Sequence, residues 1–156
     1  MTQVTKRLKR SLLFSLLVLI AATYLHAAET SPPAVLVKIE TILASNQSDE
    51  FDPRLKSLEK QLRVLKYRSY RLLKEDTQNV PAKGSASFEI PGGRSLIVSP
   101  QDFTNQRIAL KVRWQEAEKP LVDTTITLRN KGNFILGGGP PHEGGVLVLS
   151  ISATAK

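Results

Sequence analysis

Apolar and polar positions change their period twice along this chain. Val35, Val37 and Ile39 alternate with Lys38 and Glu40, which predicts a β-strand over residues 34–43. The period then lengthens. Leu55, Leu58, Leu62 and Leu65 recur three and four residues apart, with Arg54, Lys56, Lys60 and Arg63 on the other side. Asp52 followed by Pro53 supplies an acidic N-cap and a proline at the first helical position. The spacing predicts one amphipathic helix of about three or four turns. So short a leucine stripe packs on a sheet; a coiled coil needs about three or four heptads.

From Tyr67 onward the alternation returns to two. Residues 67–75 read as a strand, and 85–90 and 94–99 flank a turn at Pro91–Gly93. Residues 106–115 put Ile108, Leu110, Val112 and Trp114 on one face and Arg107, Lys111 and Arg113 on the other. Residues 120–130 alternate too, after a turn at 116–120. Asn130–Asn133 turns the chain into Phe134–Leu136, and residues 146–153 close it with Leu147, Leu149 and Ile151 as the apolar face. The order is β, α, then a series of strands. It predicts an α+β domain, mainly antiparallel, sandwich-like or a curled sheet of about seven or eight strands, with the helix closing one side. The pattern leaves the strand order open.

The N-terminus has another character. Lys6, Arg7, Lys9 and Arg10 precede an apolar run over residues 11–25, and small residues follow at Ala27 and Ala28. This predicts a secretory signal peptide over 1–28. The alternative is an uncleaved anchor formed by 11–25, although a spanning helix wants about 20 apolar residues. Residues 29–33 form a spacer and 34–156 a single β-rich domain. The expected location is therefore exported, periplasmic or secreted. The chain has no cysteine, so no disulfide supports the fold.

The net charge of +8 comes partly from that leader. Four of the 22 basic residues lie in it and none of the 14 acidic ones, which leaves 18 against 14, a net of +4. That is an ordinary value for a globular domain and points away from nucleic acid.

Candidate chemistry is sparse. Beyond the leader, His142 is the single histidine, and with no thiols a zinc site would rest on oxygen ligands almost alone. His142–Glu143 does not continue to a second histidine, since position 146 is Val. Asn46–Asp52 gathers oxygens without the spacing of a calcium loop. There is no G-x-S-x-G elbow and no phosphate-binding loop. No catalytic, cofactor-binding or metal-ligating residue is assigned, and the chain is not expected to be an enzyme.

Two features remain. Gly137, Gly138, Gly139, Pro140, Pro141, His142 and Glu143 form a glycine- and proline-rich connection between two apolar runs. It reads first as a connector and second as a contact loop. Lys66, Arg68 and Arg71 crowd the helix exit, while Arg107, Lys111 and Arg113 share a strand face. If these adjoin, they make a basic face.

The stretches "FDPRL", "YRSYRLL", "IPGGRSLIV", "LVDTTITL" and "GGGPPHEGGVLVLSIS" resemble small exported bacterial proteins of uncharacterised function. The resemblance implies a single secreted domain and assigns no activity. The expected function is a non-catalytic interaction domain, an accessory of an envelope assembly with an envelope protein as partner. The alternative is a binder of an anionic glycan or lipid through the basic sheet face.

Overall fold

A computed structural model describes residues 33–156. The expected leader and nearly all of the spacer lie outside the described residues. Nine strands and one helical segment follow in order: β1 (Ala34–Ser45), α1 (residues 53–65), β2 (Ser69–Pro81), β3 (Ala86–Ile90), β4 (Arg94–Thr104), β5 (Arg107–Glu116), β6 (Lys119–Arg129), β7 (Gly132–Leu136), β8 (Pro141–His142) and β9 (Gly145–Ala155). They make two antiparallel sheets. One runs β2-β1-β9-β7, with β8 hooked onto β9; the other runs β3-β4-β5-β6. The α+β, β-rich reading holds, with nine strands where seven or eight were expected. The helix is as expected a single one of 13 residues.

The alternating residues of both sheets meet in one core. β1 contributes Val35, Val37 and Ile39, and β9 contributes Leu147, Leu149 and Ile151. The other sheet answers with Phe88, Leu96, Val98 and the whole apolar face of β5, Ile108 to Trp114. Strand β1 is buried on its other face as well. Ile42 and Ala44 point outward and are covered by Leu55, Leu58 and Leu62 of α1, with Tyr70 and Val148 beside them. Each leucine buried this way contributes roughly 1.5–3 kcal/mol.

The helical segment is tighter than the sequence suggests. Only Glu59–Leu62 is α-helical; Pro53–Leu58 and Arg63–Leu65 are 3-10 turns. Both ends are tied to β2, which fixes the span. At the start, Asp52 accepts hydrogen bonds from Arg54 N (3.0 Å) and Leu72 N (3.1 Å), and its own N–H donates to Tyr70 O (2.9 Å). Near the end, the Tyr70 hydroxyl donates to Leu62 O at 2.5 Å. Residues three apart eclipse in a 3-10 turn, so Leu55 and Leu58 still share the buried side. Lys66 then stops the segment in a left-handed conformation (φ 63°).

Strands β2 and β4 also run further than their apolar patterns. β2 continues through polar residues to Pro81 because β1 pairs with it along its whole length, from Ala34↔Pro81 to Ser45↔Ser69. Backbone pairing, not side-chain burial, extends it. Glu40 and Glu75 stand directly opposite in this ladder, and Lys38 Nζ reconciles them at 3.0 and 3.2 Å.

Asp52 is the joint between helix and sheet. The Arg54 guanidinium hydrogen-bonded to it, together with the two backbone amides, holds its carboxyl well below the usual carboxylate range. Asp52→Ala should lower stability by about 1–2 kcal/mol in urea unfolding at neutral pH. The depressed pKa sets the sign with pH. The carboxylate contributes fully above its unfolded pKa of about 3.9, and that contribution is lost as pH falls toward the folded value. The stability gap between wild type and Asp52→Asn should therefore be constant above about pH 5 and narrow below about pH 4.

Candidate functional site

The strand register separates the sandwich into two ends. The chain enters at one, where Ala82 N donates to Pro33 O and Ala34 pairs with Pro81. The other carries α1, the turn at 91–93, the turn at 117–118 and the glycine-rich connection. This loop end holds a cleft of ≈ 750 Å³ whose lining includes Gln47, Ser48, Glu50, Phe51, Arg71 and Glu143.

The glycine connection is built into the fold. A side chain at Gly137 would press on Leu65 of α1, and one at Gly139 on Trp114 and the backbone of Leu147. One at Gly144 would meet Gln47, and one at Gly145 the backbone of Ala44. The connection thus crosses the end of the sandwich in contact with the helix, with both sheets and with the 46–52 loop. Its last part is a two-residue hairpin. Pro141 pairs with Val146 and His142 with Gly145, while Glu143 (φ 42°) and Gly144 (φ 79°) take the left-handed turn. The sequence pattern showed a single unpaired connection; the paired hairpin inside it is the ninth strand's origin.

The turn projects Glu143 into the cleft, where its carboxylate stands 3.4 Å from Arg71. Nearby in sequence, Arg68 pairs with Asp49, and Arg54, in the cleft lining, pairs with Asp52. The Arg63 guanidinium lies 5.4 Å from the Phe51 ring centre. His142 is mostly covered, with its Nε2 3.8 Å from Glu143 Oε1, too far for a hydrogen bond. Among the described residues its imidazole makes no hydrogen bond, and no three carboxylate or imidazole side chains gather as a metal site would require. Arg94 ties the ends of the other sheet together, donating to Pro91 O and pairing with Glu116 at 3.1 Å.

The two halves of the expected basic face do not come together. Lys66, Arg68 and Arg71 lie at the helix exit and the start of β2, in one sheet; Arg107, Lys111 and Arg113 lie on β5, in the other. Arg68, Arg71 and Arg113 are each ion-paired, the last with Asp123 at 3.0 Å. Of the six, Lys66, Arg107 and Lys111 make no ion pair among the described residues. Two unpaired cations do meet, Arg107 opposite Arg129 in the β5–β6 ladder, and Lys131 and Lys83 lie at the same entry end. Sequence reasoning missed the last three because Arg129 and Lys131 lie at one turn and Lys83 sits in another, far from Arg107 in sequence. Only the strand order brings them to one end.

Comparison with known proteins finds no matching family model, no similar curated protein and no similar solved structure.

The close packing of the connection gives a graded expectation. Gly139→Ala forces a methyl against a backbone carbonyl and the indole, neither of which can yield, and should cost about 1–3 kcal/mol. Gly137→Ala meets only the flexible end of Leu65 and should cost less. Denaturant unfolding followed by the fluorescence of Trp114, the single tryptophan, measures both.

Proposed function

We propose that this chain is an exported, non-catalytic interaction domain that engages an envelope protein through its loop end. The observation that carries the reading is the cleft itself. It is open, spans ≈ 750 Å³, and is walled by segments whose positions are fixed by packing: the 46–52 loop, the helix start and the Glu143–Gly144 turn. A surface held in place before binding loses little conformational freedom on association. Its lining combines the Arg71–Glu143 ion pair with the polar side chains of Gln47, Ser48 and Glu50.

The charges in the cleft support contact over chemistry. Asp52 accepts hydrogen bonds from two backbone amides and the Arg54 guanidinium, so its carboxylate is committed to the joint described above. The Arg71–Glu143 pair is exposed on both sides, 60% and 62%, and such pairs add little to stability, about 0–1 kcal/mol. Its value lies in the pattern it offers a partner. Loop-borne polar groups on a rigid scaffold are where binding surfaces concentrate.

A charge swap tests this. Arg71→Glu combined with Glu143→Arg keeps the ion pair and reverses its polarity. The double variant should unfold within about 0.5 kcal/mol of wild type. It should nevertheless lose at least about ten-fold in the amount of partner recovered with it from its own envelope, the equivalent of about 1.4 kcal/mol. Undiminished recovery would remove the loop end as the contact surface.

A further inference from the structure

Charge compensation differs sharply between the two ends of the sandwich. At the loop end Arg54, Arg63, Arg68, Arg71 and Arg94 each stand within 3.4 Å of a carboxylate. At the entry end nothing comparable occurs. Residues 81–85, 100–107 and 128–133 hold four cations, Lys83, Arg107, Arg129 and Lys131, and a single carboxylate, Asp102. All four cations are exposed and none is ion-paired among the described residues. Asp102 is instead bonded to the hydroxyl of its neighbour Thr104 at 2.9 Å.

Backbone contacts place these segments side by side. Arg107 and Arg129 are direct cross-strand partners. Asn130 N donates to Gln106 O at 2.7 Å, Lys131 N to Ala153 O at 2.9 Å, and Lys83 N to Pro100 O at 3.3 Å. Like charges directly opposite each other destabilise a sheet. A carboxylate at either position would remove that cost, so the arginine pair points to an anion outside the chain. Two shallow hollows flank it, one lined by Asp102, Thr104, Asn105, Arg107 and Thr127, the other by Gln106, Arg129 and Asn130.

Two further observations choose among anions. Phe103, near the end of β4, is 50% exposed at the same end of the sandwich, on the sheet face opposite to Arg107 and Arg129. The chain also enters the domain here. Pro33 is hydrogen-bonded at this end, and on the alternative in which residues 11–25 stay as an anchor, that apolar run ends eight residues earlier in the sequence. Exposed cations and an exposed aromatic gathered at one end of the sandwich fit a lipid interface, where phosphates meet apolar chains.

We propose that the entry end is a docking surface for an anionic phospholipid membrane. Lys83, Arg107, Arg129 and Lys131 lie against the lipid phosphates and Phe103 enters the headgroup layer. The loop end then faces away from the membrane. This inference is independent of what the loop-end cleft binds.

The test uses the full chain reconstituted into vesicles of phosphatidylcholine alone, or with about 30% phosphatidylglycerol. The readout is hydrogen exchange over residues 101–107 and 129–132. Protection should appear only with phosphatidylglycerol and should vanish in about 0.5 M salt. Each cation near an anionic surface strengthens docking by about five-fold, so Arg129→Glu, a change of two charges, should weaken it about 25-fold. The same variant gains an Arg107 partner, so its folding is preserved. Equal protection in both vesicles, or protection retained by Arg129→Glu, would overturn the proposal. Equivalent protection by soluble alginate without vesicles would overturn it in favour of an anionic glycan.

Discussion

Everything in this domain hangs on β1 being buried on both faces. With no cysteine in the chain, cohesion has to come from packing. β1 sends Val35, Val37 and Ile39 into the sandwich and Ile42 and Ala44 under the helix. It also lies between β2 and β9, pairing with each along most of its length. The two hydrophobic clusters meet through this one strand. Disturbing it would loosen the helix from the first sheet and the first sheet from the second.

The helix matters chiefly for what it positions. Its three buried leucines anchor it on β1 and β9, while Asp52 and Tyr70 tie its two ends to β2. That leaves Leu65 available as the surface on which Gly137 rests, so the glycine connection is set by the helix on one side and by Trp114 on the other. The same chain of contacts presents Glu143 to Arg71. A cleft wall made in this way is a consequence of core packing and cannot drift independently of it.

Much of this was legible in the sequence. The strand at 106–115 showed its face through Ile108, Leu110, Val112 and Trp114, and the leucine stripe announced the helix and its buried side. Asp52–Pro53 marked the helix start correctly, and Pro91–Gly93 the hairpin. What escaped the pattern is tertiary. The polar half of β2 is a strand because β1 needs a partner there, which no side-chain period records. The 3-10 character of the helix follows from anchors at Asp52 and Tyr70. The glycine stretch read as a connector or a contact loop, and only the fold shows what Gly139 and Gly145 approach, the Trp114 indole and the backbones of Leu147 and Ala44. Cations were grouped by closeness in sequence, and the register regrouped them: Arg113 went to Asp123, and Arg107 to Arg129.

The two ends of the sandwich therefore differ in kind, one with five arginines matched to carboxylates, the other with exposed cations that make no ion pair among the described residues. The most direct measurement is in-cell photocrosslinking from a reactive residue placed at Ser48, in the cleft, against one placed at Lys111, on the outer face of the second sheet. The account predicts one recurrent envelope protein captured from Ser48 and not from Lys111. The same protein captured equally from both positions, or none from Ser48, would contradict it.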